Sequence, residues 1–222
     1  MTMKKTVRHP GLLLVLLTVC TNLLQAQLFT DKETKIIYGG DTSNMLRVIQ
    51  ITQPEEHKIL LTPSANIQHD APGLDLLAKR MLLSMRDSTR PGVGIAAPQL
   101  GINKKIIWVQ RFDKAGTPFE LYLNPQITWQ SVLYRKGKEG CLSIPDISGN
   151  VLRHYTIGLS YQQKDGTYKN EIIEGFTAVI FQHEIDHLNG ILFTQRLQEQ
   201  DTKQYYPLAT GVELYLEQPS KR

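Results

Sequence analysis

Two histidines set four residues apart, His183 and His187, constrain this chain more than any other feature. They frame the pattern HExxH, read here as His183-Glu184-Ile185-Asp186-His187. Four residues advance an α-helix by about one turn, so both imidazoles leave the same face. Imidazoles at that spacing chelate one divalent ion, and the glutamate beside the first is placed to handle the proton of a water that the ion activates. The segment therefore has to be helical, beginning near Gly175 and ending before Gly190, which suits a C′ position. On such a helix Phe176, Val179, Ile180, His183 and His187 fall at i, i+3, i+4, i+7 and i+11, so an apolar trio shares the face of the ligands. Part of that face packs the core, and part must stay open for a substrate to reach the ion.

A catalytic tetrahedral site needs a third protein ligand besides a water. The pattern continues through Gly190, but Phe193 stands where a metzincin has its last histidine. Glu199 and Glu213 are carboxylates that a zinc endopeptidase could recruit, though neither lies in a convincing helical stripe. The other soft donor is Cys141, in Glu139-Gly140-Cys141-Leu142-Ser143. A single cysteine is ordinarily a small buried hydrophobe. The N-terminus weakens that reading.

Lys4, Lys5 and Arg8 precede an uncharged run from Gly11 to Cys20, and Ala26 supplies a small residue before Gln27. The run is too short to span a bilayer comfortably, and the pattern reads as a secretory signal over 1–26. The expectation is export to the periplasm or cell surface. A lipid anchor at Cys20 is the rival reading, disfavoured by the large Val19 before it, and an uncleaved cytoplasmic chain is the other. Cleavage after Ala26 would leave Cys141 as the sole cysteine, unable to form an internal disulfide, and metal ligation would explain a lone thiol in an oxidising compartment. The leader also carries most of the charge imbalance. The chain has 25 basic and 21 acidic residues, and without Lys4, Lys5 and Arg8 the balance is nearly even. That gives no electrostatic case for a nucleic-acid partner, and no stable protein partner is implied.

The 222 residues suit one domain with a core that needs no disulfide staples. After a leader over 1–26 comes an extension over 27–45, and then one catalytic domain over 46–222. Residues 27 to about 58 show little period. Leu74, Leu77, Ala78, Met81, Leu82 and Met85 form one helical stripe, with Pro72 in the first turn and Pro91 beyond the end. Lys105 to Gln110 and Phe119 to Leu123 read as strands. Arg153 to Gln163 and Thr167 to Glu174 flank the hairpin signal Asp165-Gly166. Val212 to Leu216 alternates like a short strand. Strands and helices are segregated, which favours α+β: mixed, mainly antiparallel sheets around a central helix carrying HExxH.

Three motifs in order carry a resemblance. Gly92-Val93-Gly94-Ile95-Ala96-Ala97-Pro98-Gln99 comes first, Glu139-Gly140-Cys141-Leu142-Ser143 second and Gln182-His183-Glu184-Ile185-Asp186-His187 third. With this trio the chain resembles the peptide deformylases over about residues 46 to 197. The resemblance implies that Cys141, His183 and His187 hold one divalent ion, Fe(II) first, with zinc, nickel or cobalt able to take its place. It implies that Glu184 is general base and then acid, that Gln99 and the backbone N–H of Leu142 hold the oxyanion, and that Gly94 lends backbone hydrogen bonds to an extended peptide. Val93 would face the apolar trio Phe176, Val179 and Ile180 across a side-chain slot. The implied reaction removes the N-formyl group from a formyl-methionyl peptide and releases formate. Ser148 stands where many relatives carry arginine, and Leu152 where proline is common. Both departures bear on the peptide's downstream end rather than on the metal.

Two alternatives stand beside this reading: an exported HExxH zinc endopeptidase with a third ligand other than Cys141, and a formyl-peptide-binding protein with a dead site. Gly92 to Ala97 also fits a loose nucleotide fingerprint, but it follows Arg90-Pro91 rather than a strand, and Pro98 obstructs a helix there.

Overall fold

The structure, a computed structural model, describes residues 28–211 and 213–218. The expected signal segment over 1–26 and Val212 lie outside the described residues.

Two antiparallel sheets carry the fold. One has the order β1-β2-β3-β6-β7, built from β1 (Gly94–Ala96), β2 (Ile106–Gln110), β3 (Phe119–Gln130), β6 (Thr156–Gln162) and β7 (Tyr168–Glu174). The other has the order β5-β4-β9-β8, from β4 (Leu133–Cys141), β5 (Ile144–His154), β8 (Tyr205–Pro207) and β9 (Leu214–Glu217). Every strand pair among the described residues is antiparallel, and the sole parallel contact is an isolated bridge between Ala65 and Lys104. The expected α+β class with mainly antiparallel sheets stands.

The helices are α1 (Asp31–Tyr38), α2 (Pro54–Leu60), α3 (Leu74–Met85), α4 (Gly175–Leu188) and α5 (Phe193–Asp201). The α3 stripe forms as expected, with Leu74, Leu77, Ala78, Met81 and Met85 buried. Its N-cap is Gly73, so Pro72 precedes the helix instead of opening it. Ile37 of α1 packs into the same core. α4 carries HExxH, touches β1, β2, β3, β6 and β7 of one sheet, and reaches β5 of the other. Gly190 follows its C-cap Asn189 at φ +70, the left-handed conformation that favours glycine.

Three further expectations need correction. α1 and α2 occupy the stretch that lacks period. β3 continues past Leu123 to Gln130, because Asn124 takes a positive φ of 50 and a ladder irregularity there admits Pro125. Arg153 and His154 end β5 rather than starting β6, and the β4–β5 hairpin was not foreseen.

Candidate metal centre

Cys141 ends β4, and the β4–β5 register shifts between Gly140 and Cys141. Such an irregularity re-aims a side chain, and the Cys141 thiol meets α4. The ligand atoms of Cys141, His183 and His187 all lie within 4.8 Å of one another. Cys141 Sγ is 3.2 Å from His187 Nε2. Among the described residues this is the one group of three such donors. Glu199, one of the two carboxylates weighed from sequence, pairs with Arg196 instead.

Electrostatics favours the thiolate. Burial pushes the Cys141 thiol up, but the charge on His187 and hydrogen bonds from both histidines outweigh it and hold the thiol well below its usual range. His183 moves oppositely: burial lowers it, while hydrogen bonds to Cys141 and Glu139 raise it well above the usual value. A soft thiolate with two imidazoles fits a first-row divalent ion. The ring edge away from the site is also committed, since His183 Nδ1 donates to Glu139 Oε2 at 2.9 Å. That bond fixes the ring and leaves Nε2 for a metal.

Glu139 was quoted within a motif without a role, and the structure supplies one. Arg153 donates to it from Nε at 2.8 Å and from Nη2 at 3.0 Å, and reaches Asp186 with Nη1. Arg196 binds Asp186 from the outside. Burial pushes the Glu139 carboxyl up, and the bonds from His183 and Arg153 overcome it to about 2. Glu139, Arg153 and Asp186 are all buried, so the chain of charges stands only because each has partners. Gln182 ties α4 to β5 through both amide ends, with His154 O at 2.8 Å and His154 N at 3.0 Å.

Glu184 lies on the other side of the ligands, against β1. A Cβ at Gly94 would sit 2.9 Å from Glu184 Cγ and Cδ, closer than real side chains pack. Burial raises the Glu184 carboxyl to about 7, opposed by the charges of His183 and His187. Its Oε2 is buried without a hydrogen-bond partner, as is His187 Nδ1. An orphaned carboxylate oxygen beside three metal donors suits a site that takes an ion and a water.

Gln99 has its amide orientation fixed. Its Oε1 accepts from Ala96 N at 2.8 Å, which turns its NH2 toward Cys141 Sγ at 3.5 Å and Ser143 Oγ at 3.4 Å. A strap from the stretch without period holds these parts together. Ile49 N donates to Gln99 O, Ile51 N to Ser143 O, and Gln50 Nε2 to Leu142 O. No sequence pattern marked Gln50.

A cavity of about 450 Å³ opens beside the three donors. Gln99, Leu142 and Glu184 line it with Cys141 and His183, and so do Val93, Gly94, Phe176, Val179 and Ile180. Val179 and Ile180 are buried, whereas Val93 and Phe176 are exposed at the rim. Phe176 meets the ring of Phe112, 5.2 Å away, which the sequence reading did not single out. Ser148 pairs with Gly140 across the β4–β5 ladder, and Leu152 lines a different cavity behind α4.

Comparison with known proteins points one way. A family model described as "Polypeptide deformylase" matches residues 46–203. The chain is 38% identical over 143 residues to "Peptide deformylase" of Prochlorococcus marinus (strain NATL2A), covering 64% of this chain and 70% of that protein. It is 42% identical over 125 residues to a "Peptide deformylase-like" protein of Brucella melitensis, covering 56% and 74%. Among solved structures it is similar to the Met-Ala-Ser-bound class I type b peptide deformylase from Acinetobacter baumannii, with TM-score 0.62 and 36% identity over 69% of this chain and 99% of that one. The peptide deformylase from Thermotoga maritima gives TM-score 0.60 at 33% identity, covering 68% and 97%.

Proposed function

This chain belongs to the peptide deformylase family, and on that premise we propose which of its residues remove the formyl group from a formyl-methionyl peptide. The observation that carries the assignment is the convergence of Cys141, His183 and His187 at a cavity that Glu184 and Gln99 line. Cys141, His183 and His187 would hold one divalent ion, Fe(II) first and zinc, nickel or cobalt as alternatives. When bound, the ion supplies a Lewis acid that polarises the formyl carbonyl and lowers the pKa of a nearby water.

The remaining roles belong to the chain. Glu184 takes the proton of the attacking water and returns it to the departing amine, a transfer its place beside the ligands allows. The Gln99 NH2, aimed by the Ala96 bond, donates to the formyl oxygen as charge grows there, and the Leu142 N–H is the second donor. Gly94 brings the β1 backbone close to Glu184, so a peptide paired to β1 presents its formyl end there. Val93, Phe176, Val179 and Ile180 receive the methionine side chain. A formyl-Asp peptide hydrolysed as fast as its formyl-Met counterpart would contradict that slot. Glu139, Arg153 and Asp186 position His183.

Metal analysis of anaerobically purified protein tests the ligand set. Wild type should hold one equivalent, and Cys141→Ala should lose it, because a methyl group cannot replace a thiolate. A tight equivalent retained by Cys141→Ala would show that the ligands are misassigned. Export is proposed on the pattern of residues 1–26 alone. Sequencing of protein from its native host should start near Gln27, and a start at Met1 would contradict export.

A further inference from the structure

The metal cavity opens between two strand edges. β1 is the edge of its sheet, and Gly94 pairs only with Val109. β4 pairs with β9 only from Leu133 to Arg135, so from Lys136 to Cys141 its side away from β5 carries no strand among the described residues. Leading away from the donors, the segment before β1 runs back to Arg90 and β4 runs back to Lys138. Both cations line the cavity, and both are exposed. Among the described residues neither side chain has an ion pair or a hydrogen bond.

The carboxylates of the lining do not neutralise them. Glu139 is buried and bound to Arg153 and His183, and Glu184 is buried against Gly94. A third cation, Arg135, stands 5.7 Å over the ring of Phe176 at the same rim. The mouth therefore presents uncompensated positive charge at the end where an extended peptide leaves. Lys138 precedes Cys141 by three residues, which in a strand span about 10 Å, the reach of about three residues of extended substrate.

We infer that Arg90 and Lys138 select formyl-methionyl peptides that carry a carboxylate about three residues downstream of the formyl group. The carboxylate is the C-terminus of a tripeptide or an acidic side chain in a longer one. The inference rests on the deformylase reading and adds a substrate preference to it. Two exposed ion pairs of ordinary strength together amount to about five-fold in binding.

The test uses the metal-loaded full chain and four substrates: formyl-Met-Ala-Ala as the free acid, the same peptide as its amide, formyl-Met-Ala-Glu amide and formyl-Met-Ala-Lys amide. At low ionic strength kcat/KM for at least one carboxylate peptide should exceed that of the neutral amide by about five-fold. The gain should lie in KM, the Lys peptide should fall below the neutral one, and added salt should shrink the spread. A gain confined to the free acid identifies the C-terminus as the recognised group, and one confined to the Glu peptide identifies a side chain. Arg90→Glu combined with Lys138→Glu should cancel or invert the order. Equal kcat/KM for all four peptides, or an order that survives the double substitution, overturns the proposal. Turnover of the neutral amide tests the deformylase reading separately, so the two failures are distinguishable.

Discussion

Gly94 shows how one residue couples backbone to chemistry. A Cβ there would press on Glu184, the buried carboxyl beside the candidate metal donors, which supplies its three nearest atoms. Gly94→Ala should therefore keep the metal but displace the carboxylate or β1, and lose about 100-fold in kcat/KM. Formate release together with metal analysis checks this, and near-wild-type turnover would contradict the packing. The residues proposed to bind or react were legible in the sequence because their spacing or motif carries the chemistry. His183 and His187 sit one helical turn apart, and Cys141 and Gln99 stand in recurring motifs. Their supports were not legible. Glu139 orients His183 across 44 positions, and Gln50 reaches Leu142 across 92. No local pattern encodes such pairs.

α4 is the element on which the site depends, and its C-terminal end is anchored tightly. Leu188 O accepts from Ser64 N at 2.8 Å, and a Cβ on Gly190 would lie 2.7 Å from the Leu61 carbonyl carbon. Gly190→Ala must adopt a left-handed backbone and displace the 61–64 turn, which costs about 2 kcal/mol or more. Thermal unfolding should show a midpoint lower by about 4–8 °C. An unchanged midpoint would mean that this turn yields freely. The elements differ in how plainly the sequence announces them. α3 buries one face and shows the helical period, whereas α4 is buried on nearly every side and is announced by its HExxH spacing. α1 has little apolar pattern, but its start is a capping box, Thr30 with Glu33, a signal present in the sequence. α2 opens on Pro54 with Glu55 and Glu56 in its first turn. β4 and β5 gave no alternation because Gly137, Gly140 and Gly149 interrupt them and most of their residues are only half-buried or exposed.

At the scale of the whole molecule, two sheets meet around α4, and buried Arg111 ties strands of the five-stranded sheet to one another. Arg111, 2% exposed, donates to Asp113, Glu171 and Tyr122. The Arg111 bond holds Asp113 below its usual range against a smaller push from burial. Burial pushes Glu171 up, and bonds from Tyr161 and Arg111 bring it below normal. Carboxyls depressed in the folded state stabilise it above their unfolded pKa, about 4, and that stability is lost as pH falls through the folded values. Urea midpoints should therefore fall between about pH 5 and pH 3. Asp113→Asn with Glu171→Gln should lower the midpoint at neutral pH and flatten that slope; an unaltered slope would place the acid sensitivity elsewhere. The central claim is that the Cys141, His183 and His187 centre, with Glu184 as its proton carrier, removes formyl groups. Formate release from formyl-Met-Ala-Ser, measured for the metal-loaded wild type and Glu184→Gln at equal metal content, tests it most directly. The account predicts stoichiometric formate from wild type, and a rate at least about 100-fold lower from Glu184→Gln with its one equivalent of metal still bound. No formate from the loaded wild type, or an undiminished rate from Glu184→Gln, would contradict it.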